Sequence, residues 1–245
     1  MKKKFYAVGA AVAMMLMMTA CGDKAEDTQA TTAQVTEATT EAVTEDVSST
    51  GNASATDSAG PVDIGEFDGL KYINEDAGFM IDLPEDWEVA PIEKLASSNE
   101  MAESDYNAAN INRYIKTTGS AEIYSAKHKK EDGDYQMIMM VVHDGNELHT
   151  DFLEDDDIDA QMEWLKDMFI AMDDELNDVE VKVIKLAGED IIAIDFNKNR
   201  DESSNGLLYT RDIYMERDGY TYAIYIFDPA QEGIEEMTGY FKPLD

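Results

Sequence analysis

Three histidines are the side chains that would most readily hold a transition metal, and acidic residues lie near two of them. The set is His128, His143, His149, Asp144, Asp151 and Glu154. Zinc sites place their ligands at short, recurrent spacings, and this set matches none of them. The pattern favours histidines in exposed loops, so we expect no metal and no cofactor.

Carboxylates are so numerous that no acid–base pair stands out. The 245 residues include 53 Asp and Glu, so two carboxyl groups at the separation of a glycosidase pair, about 5 to 9 Å, would occur by chance. The segment Asn197-x-Asn199-x-Asp201 begins like a calcium loop, but Glu202 replaces its glycine and Leu208 its bidentate acid. No serine lies in a G-x-S-x-G turn. The sequence therefore predicts no catalytic residue and no enzyme.

Tyrosines near the C-terminus are the better candidates for recognition. Tyr209 and Tyr214 share a predicted strand with Arg211 and Asp212. Such rings can stack on a sugar or grip a partner, although strand aromatics more often pack in a core or across strands. Tyr209, Arg211 and Tyr214 are therefore the candidate ligand or partner surface.

Hydrophobic patterning predicts the elements that hold these side chains. Alternating apolar residues between turn signals predict strands at 70–74, 78–83, 121–128, 135–143, 179–186, 191–197, 207–216 and 220–227. The strand at 135–143 is apolar on both faces, which is typical of a central strand. Apolar residues spaced by four and three predict one long helix; they are Ile158, Met162, Leu165, Phe169, Met172 and Leu176.

Two shorter helices are predicted from weaker signals. Residues 105–115 favour a helix inside the less regular segment 97–118. Pro229 can occupy the first turn of a last helix, whose inward face would carry Ile234, Met237 and Phe241.

The N-terminus has the composition of a secretion signal. Three lysines precede an uncharged run at residues 5–20, which is too short to span a bilayer comfortably. The run ends in Met18-Thr19-Ala20-Cys21, which resembles the lipobox of bacterial lipoproteins, with Met18 in place of the usual Leu. The resemblance implies that residues 1–20 are removed and that Cys21, the only cysteine, carries a diacylglyceryl group with palmitate-type chains. The alternative is an ordinary signal peptide cut near Ala20.

A low-complexity segment separates this signal from the rest. Residues 22–61 contain nine Thr and eight Ala but no aromatic residue, Leu, Ile or Met, so ordering them would cost conformational entropy without burying apolar surface. We predict a disordered tether at 21–61, which includes the lipidated cysteine, and a single globular domain at 62–245. That domain has 45 acidic and 15 basic residues, a balance that excludes nucleic acid and favours a positively charged partner.

One part of the domain resembles a known family. The segment Gly78-Phe79-Met80-Ile81-Asp82-Leu83-Pro84-Glu85-Asp86-Trp87 is similar to the opening of PsbP-like domains, and Tyr220 to Phe227 followed by Phe241-Lys242 is similar to their ending. The resemblance spans residues 68–245. It implies an α+β fold in which an antiparallel sheet is flanked by helices on both faces, and it supplies no catalytic motif.

These observations predict a lipid-anchored, extracytoplasmic binding or assembly module on the cell membrane, without catalytic activity. Its partner would be another envelope protein or a cationic ligand. A surface-tethered hydrolase with an unidentified carboxylate pair and a small solute-binding component remain the alternatives. A two-lobed solute receptor needs two domains of roughly 100 residues or more, which 184 residues hardly accommodate.

Overall fold

Two antiparallel sheets and four α-helices form an α+β fold in the part of the chain that the computed structural model describes, residues 60–131, 133–145, 158–199 and 206–244. The helices are α1 (Ile92–Ser98), α2 (Ala108–Thr118), α3 (Ile158–Met172) and α4 (Gln231–Thr238). The predicted signal, Cys21 and the tether up to residue 59 lie outside the described residues. Among the described helices, none is long and apolar enough to cross a membrane.

The strands follow the sequence patterns closely. They are β1 (Glu66–Asp68), β2 (Lys71–Asn74), β3 (Phe79–Asp82), β4 (Glu88–Val89), β5 (Ser120–Lys129), β6 (Tyr135–Asp144), β7 (Leu176–Leu186), β8 (Glu189–Asn199), β9 (Leu207–Arg217), β10 (Tyr220–Asp228) and β11 (Phe241–Pro243). Seven of them form one sheet in the order β4-β5-β6-β10-β9-β8-β7. The predicted central strand is confirmed, because β6 lies between β5 and β10.

Tight turns set the register of the last hairpins. Asp218 and Gly219 both have positive φ, 50° and 83°, the backbone of a two-residue turn that matches the twist of the flanking strands. The β7–β8 hairpin turns in the same way at Ala187 and Gly188, with φ of 49° and 90°. The strand predicted at 191–197 therefore begins two residues earlier, since Glu189 and Asp190 already belong to β8.

The first hairpin corrects the expectation of one sheet. Strands β2 and β3 pair as predicted, but they join β1 and β11 in a separate four-stranded sheet. Phe241, expected on the last helix, pairs with Ile81 as part of β11. Helix α4 ends at Thr238, and the chain then extends so that the Phe241 ring meets Phe79 edge-on at 5.2 Å. Strand pairing in the small sheet therefore stabilises Phe241 in β11 more than a longer α4 would stabilise it in a helix.

The two faces of the seven-stranded sheet are covered differently. We call inner the face whose buried residues join one core with the small sheet, α2 and α4; it includes Ile138, Met140, Val142, Tyr222 and Ile224. We call outer the opposite face, where Phe169 of α3 packs on Ile194 and Phe196 of β8. Helices therefore lie on both faces, and the small sheet is added on the inner one.

The long helix is shorter than its apolar stripe predicted. Helix α3 ends at Met172, and Leu176, expected on its last turn, begins β7. The Asp173 carboxylate accepts a hydrogen bond from the Glu175 backbone N–H at 2.9 Å, a local turn that competes with another helical turn. Within the less regular segment 97–118, α2 begins after Asn107, whose side chain accepts a hydrogen bond from the Asn110 N–H.

Candidate functional site

A buried carboxyl group lies on the outer face of the large sheet. Asp212 of β9 is 0% exposed, and its Oδ1 has no hydrogen-bond partner. Its Oδ2 accepts a hydrogen bond from the Tyr214 hydroxyl at 3.3 Å. Burial raises the pKa of Asp212 to about 8, the charge of Asp195 adds to the rise, and the Tyr214 hydrogen bond opposes it. The carboxyl is therefore mostly neutral at pH 7.

Strand alternation and register bring aromatic rings to this carboxyl. Tyr214 lies two residues along β9, and Tyr225 of β10 is directly opposite Asp212 in the antiparallel register. The Tyr214 and Tyr225 rings meet at 88° with centroids 6.3 Å apart, and Phe227 stacks beside Tyr225 at 6.4 Å. We call Asp212, Tyr214, Tyr225 and Phe227 the outer aromatic site. Its three rings are half-buried, whereas its carboxyl is fully buried.

The hydroxyl groups of the site are neutral at physiological pH. Burial raises the pKa of both Tyr214 and Tyr225 above the usual value, and the nearby Asp212 raises them further. The site thus combines one unpaired acceptor with rings whose faces are electron-rich. This combination suits a donor that carries positive charge.

Two more unpaired polar atoms lie further along the same face. His143 of β6 and Thr221 of β10 are directly opposite each other, and neither the His143 Nε2 nor the Thr221 Oγ has a hydrogen-bond partner. The exposed-loop interpretation of His143 is wrong, because the side chain is buried within β6 and burial lowers its pKa. Four strand residues, about 13 Å, separate Thr221 from Tyr225, so this pair is not part of the outer aromatic site.

Among the described residues, His128 does not join His143 in a metal site. His128 is half-buried on β5, where its Nε2 lies 3.2 Å from Asp86 and its Nδ1 2.8 Å from the Gln136 side chain. His149 lies outside the described residues. Within the described ranges, no group of three or more His, Cys, Asp or Glu side chains is arranged to hold a metal ion.

The residues predicted as one surface are separated by the sheet. Tyr209 packs against the inner core, whereas Tyr214 packs with the outer cluster around Phe169. Arg211 is 0% exposed, and it donates two hydrogen bonds of 2.7 Å to Asp195 and others to Glu235 and Thr238. The three side chains therefore do not form a single surface, because odd and even positions of β9 face opposite ways.

Hydrogen bonds and ion pairs around Arg211, which we call the Arg211 cluster, bind α4 to the inner face. Hydrogen bonds from Arg211 lower the pKa of Glu235, and at Asp195 the hydrogen bonds from Arg211 and Lys182 outweigh burial, so that its pKa is also lowered. Lys182 reaches Asp195 at 2.7 Å. The cations and carboxylates neutralise each other, which indicates a structural role.

A second buried acid, Asp228, fixes the start of α4. It accepts hydrogen bonds from the Ala230 N–H at 2.6 Å, from Lys130 at 2.9 Å and from the Gln136 side chain. A Cβ at Gly233 would lie 1.7 Å from the Asp228 Oδ2, so the close approach of helix and strand requires glycine.

The sequence analysis missed Asp212 and Tyr225 as partners. A usable signal exists, since Asp212 shares strand parity with Tyr214 and Asp218-Gly219 sets a two-residue hairpin. Counting back from that turn pairs Asp212 with Tyr225.

Comparisons with known proteins show only distant likenesses. No protein-family model and no curated protein matches the chain. Among solved structures, it is similar to a Bacteroides thetaiotaomicron protein (TM-score 0.35, 10% identity, 72% of this chain and 49% of that one). It is also similar to LpqN, described as involved in cell envelope biogenesis of Mycobacterium tuberculosis (TM-score 0.32, 8% identity, 66% of this chain and 82% of that one). The chain spans about half the length of the Bacteroides protein, and neither likeness assigns a function.

Proposed function

We propose that this protein is a lipid-anchored binding module that faces the outside of the cell membrane and recognises a positively charged partner without catalysing a reaction. The observation that carries the proposal is the pairing of the basic side chains of the domain with its acidic ones. Many of them are already paired with acids of the same domain, so the surplus of acids remains on the surface.

The ion pairs tie cations to carboxylates across neighbouring strands and helices. They join Lys116 to Asp144, Lys127 to Glu88, Lys130 to Asp228, Lys182 to Asp195, Lys185 to Asp190, Lys198 to Asp173, Arg211 to Glu235 and Arg217 to Glu189. With 45 acids against 15 bases in residues 62–245, pairing leaves many acids unmatched. Their field attracts cationic molecules and repels anionic ones.

The proposed anchor follows from the N-terminal sequence. The resemblance of Met18-Thr19-Ala20-Cys21 to a lipobox supports lipidation at Cys21, and two acyl chains suffice for stable attachment. The tether proposed for residues 22–61 would reach roughly 35 Å as a flexible chain. The PsbP-like character belongs to the same proposal, and it is supported by helices on both faces of an antiparallel sheet.

A surface hydrolase is the second candidate because of Asp212. A carboxyl that stays protonated at neutral pH is in the state that a general acid requires, and the pKa of Asp212 is raised to about 8. Its charged neighbour Asp195 lies on the opposite face of the sheet, bound to Arg211. The two acids therefore do not flank a common cleft.

Capture from native membranes at graded salt tests the proposal. The full chain, tagged at its C-terminus, is cross-linked in its own membranes and recovered at about 0.05 and 0.5 M salt, because the higher salt shortens electrostatic range to about 4 Å. We expect one envelope protein or cationic ligand that is retained at low salt and lost at high salt. A matched chain with Glu66→Lys and Asp68→Lys, two exposed acids of β1, should retain less of it. Failure to recover a partner, together with turnover of a cell-wall substrate that Asp212→Asn abolishes, would favour the hydrolase instead.

A further inference from the structure

The outer aromatic site contains a buried polar atom that has no hydrogen-bond partner. Asp212 is fully buried, and its Oδ1 has no partner in either protonation state, since an ionised oxygen lacks a donor and a protonated one lacks an acceptor. Leaving such a group unpaired is unfavourable in the folded protein. By contrast, the buried Asp228 and the partly buried Asp195 both bind cations. Asp212 is thus a buried carboxyl without its own positively charged partner.

The neighbours of Asp212 favour an organic cation. Tyr214 and Tyr225 set their rings nearly perpendicular, and Phe227 extends the aromatic surface beside them. All three rings keep part of their surface exposed, whereas Asp212 is fully buried, so the rings would have to shift before an ammonium group could contact the carboxyl. An ammonium group is attracted by aromatic faces as well as by a carboxylate, whereas a hydrated metal ion would need several more oxygen ligands.

We propose that the outer aromatic site binds an alkylammonium group, with the Asp212 carboxylate as its counter-ion and Tyr214 and Tyr225 against its carbon-bearing side. The inference rests on the proposed function, because it names the chemistry of the positively charged partner. The acidic domain concentrates such cations near the site. The cation is a free amine or the side chain of a lysine in a protein partner.

Binding of the ammonium group releases one proton from the site to solvent. The neutral Asp212 releases its proton to solvent, and the carboxylate formed pairs with the ammonium group, which keeps its own protons. The ionisable groups that act on Asp212 are Tyr214, Tyr225 and Asp195; the two tyrosines stay neutral and Asp195 stays bound to Arg211. The released proton therefore reports on Asp212.

Calorimetry on the full chain tests the inference. The probes are choline, n-butylammonium and N-acetyl-lysine amide, with 3,3-dimethylbutanol as the uncharged analogue of choline. Titration at pH 7 in two buffers of different ionisation enthalpy measures proton release. We expect at least one cation to bind at least tenfold more tightly than the alcohol and to release a proton. Binding of the lysine amide would identify a protein side chain as the source, and binding of the free amines alone would identify a small molecule.

Variants distinguish specific binding at the outer aromatic site from general attraction of cations by the acidic domain. Asp212→Asn should weaken cation binding at least tenfold and abolish proton release, and Tyr225→Leu should weaken it about threefold or more. Glu85→Gln, which removes an exposed acid between β3 and β4, should leave binding unchanged. Circular dichroism checks that each variant is folded. Equal affinity for the alcohol, no binding of any cation, or undiminished binding by Asp212→Asn would overturn the inference. Loss of this binding with intact capture of a membrane partner would leave the proposed function standing.

Discussion

Arg211 and Asp212 are adjacent in the chain, yet the sheet gives them opposite environments. Arg211 points to the inner face, where Asp195 and Glu235 neutralise it. Asp212 points to the outer face, where the Tyr214 hydroxyl contacts only one of its oxygens. One buried charge is thus compensated within the chain, and the other is kept neutral by its raised pKa. The two residues make different predictions for stability.

Replacing Asp212 by Asn should stabilise the protein at neutral pH. Its pKa is near 3.8 in the unfolded chain and about 8 in the folded one, so between these values the folded state holds a proton that unfolding releases. The contribution of Asp212 to the free energy of unfolding is therefore fully present below about pH 4, and it decreases as the pH rises to about 8. Asn does not ionise. We expect Asp212→Asn to gain about 1 to 3 kcal/mol at pH 7.5 and little at pH 4, measured by urea denaturation. A constant difference across this range would contradict the raised pKa.

Replacing Arg211 by Met should destabilise the protein strongly. The substitution leaves Asp195 partly buried beside a single remaining cation, Lys182, and removes the bonds to α4. Breaking a buried pair in this way costs about 3 to 5 kcal/mol. Arg217→Met is the matched control, since its pair with Glu189 lies at the surface and should contribute about 0 to 1 kcal/mol. Similar unfolding midpoints for the two variants would argue against a structural role of the Arg211 cluster.

At the scale of elements, α3 depends on a narrow apolar contact with the outer face. Phe169 is buried against Phe196 at a centroid distance of 6.3 Å, and the next residue, Ile170, is 47% exposed. Phe169→Ala should cost about 3 to 5 kcal/mol, whereas Ile170→Ala should change the free energy of unfolding by less than about 1 kcal/mol. Chemical denaturation measures both. Equal losses would mean that α3 does not pack through Phe169.

Local patterns predicted the elements well because their causes are local. The Asp218-Gly219 turn and the apolar pattern of β6 each depend on residues close in sequence. The strands predicted at 135–143, 207–216 and 220–227 are accordingly confirmed. The end of α3 was not predicted because the apolar spacing continues to Leu176, although a local turn at Asp173 ends the helix. The switch of Phe241 to β11 was not predicted because it depends on pairing with Ile81, far away in sequence. Of the outer aromatic site, Tyr214 was predicted, but its neighbours on β10 were not. Its members become neighbours only through the β9–β10 register.

At the scale of the whole molecule, the two faces of the large sheet differ in how their buried charged groups are paired. The inner face holds the extended core with the small sheet, α2 and α4, where buried charges are paired. The outer face carries the outer aromatic site, where a buried acid lacks a cation. Residues 62–245 together hold 45 acidic and 15 basic residues. In the proposed module the ligand would bind on the outer face, whereas the larger core lies on the inner one.

The mass of the N-terminal peptide tests the proposed membrane module most directly. Protein recovered from the membrane fraction should begin at Cys21, lack residues 1–20, and carry the added mass of a diacylglyceryl thioether. Cys21→Ser should leave the membrane fraction while its domain stays folded. A chain recovered free of membrane with an unmodified Cys21 thiol would contradict the lipid anchor on which the account depends.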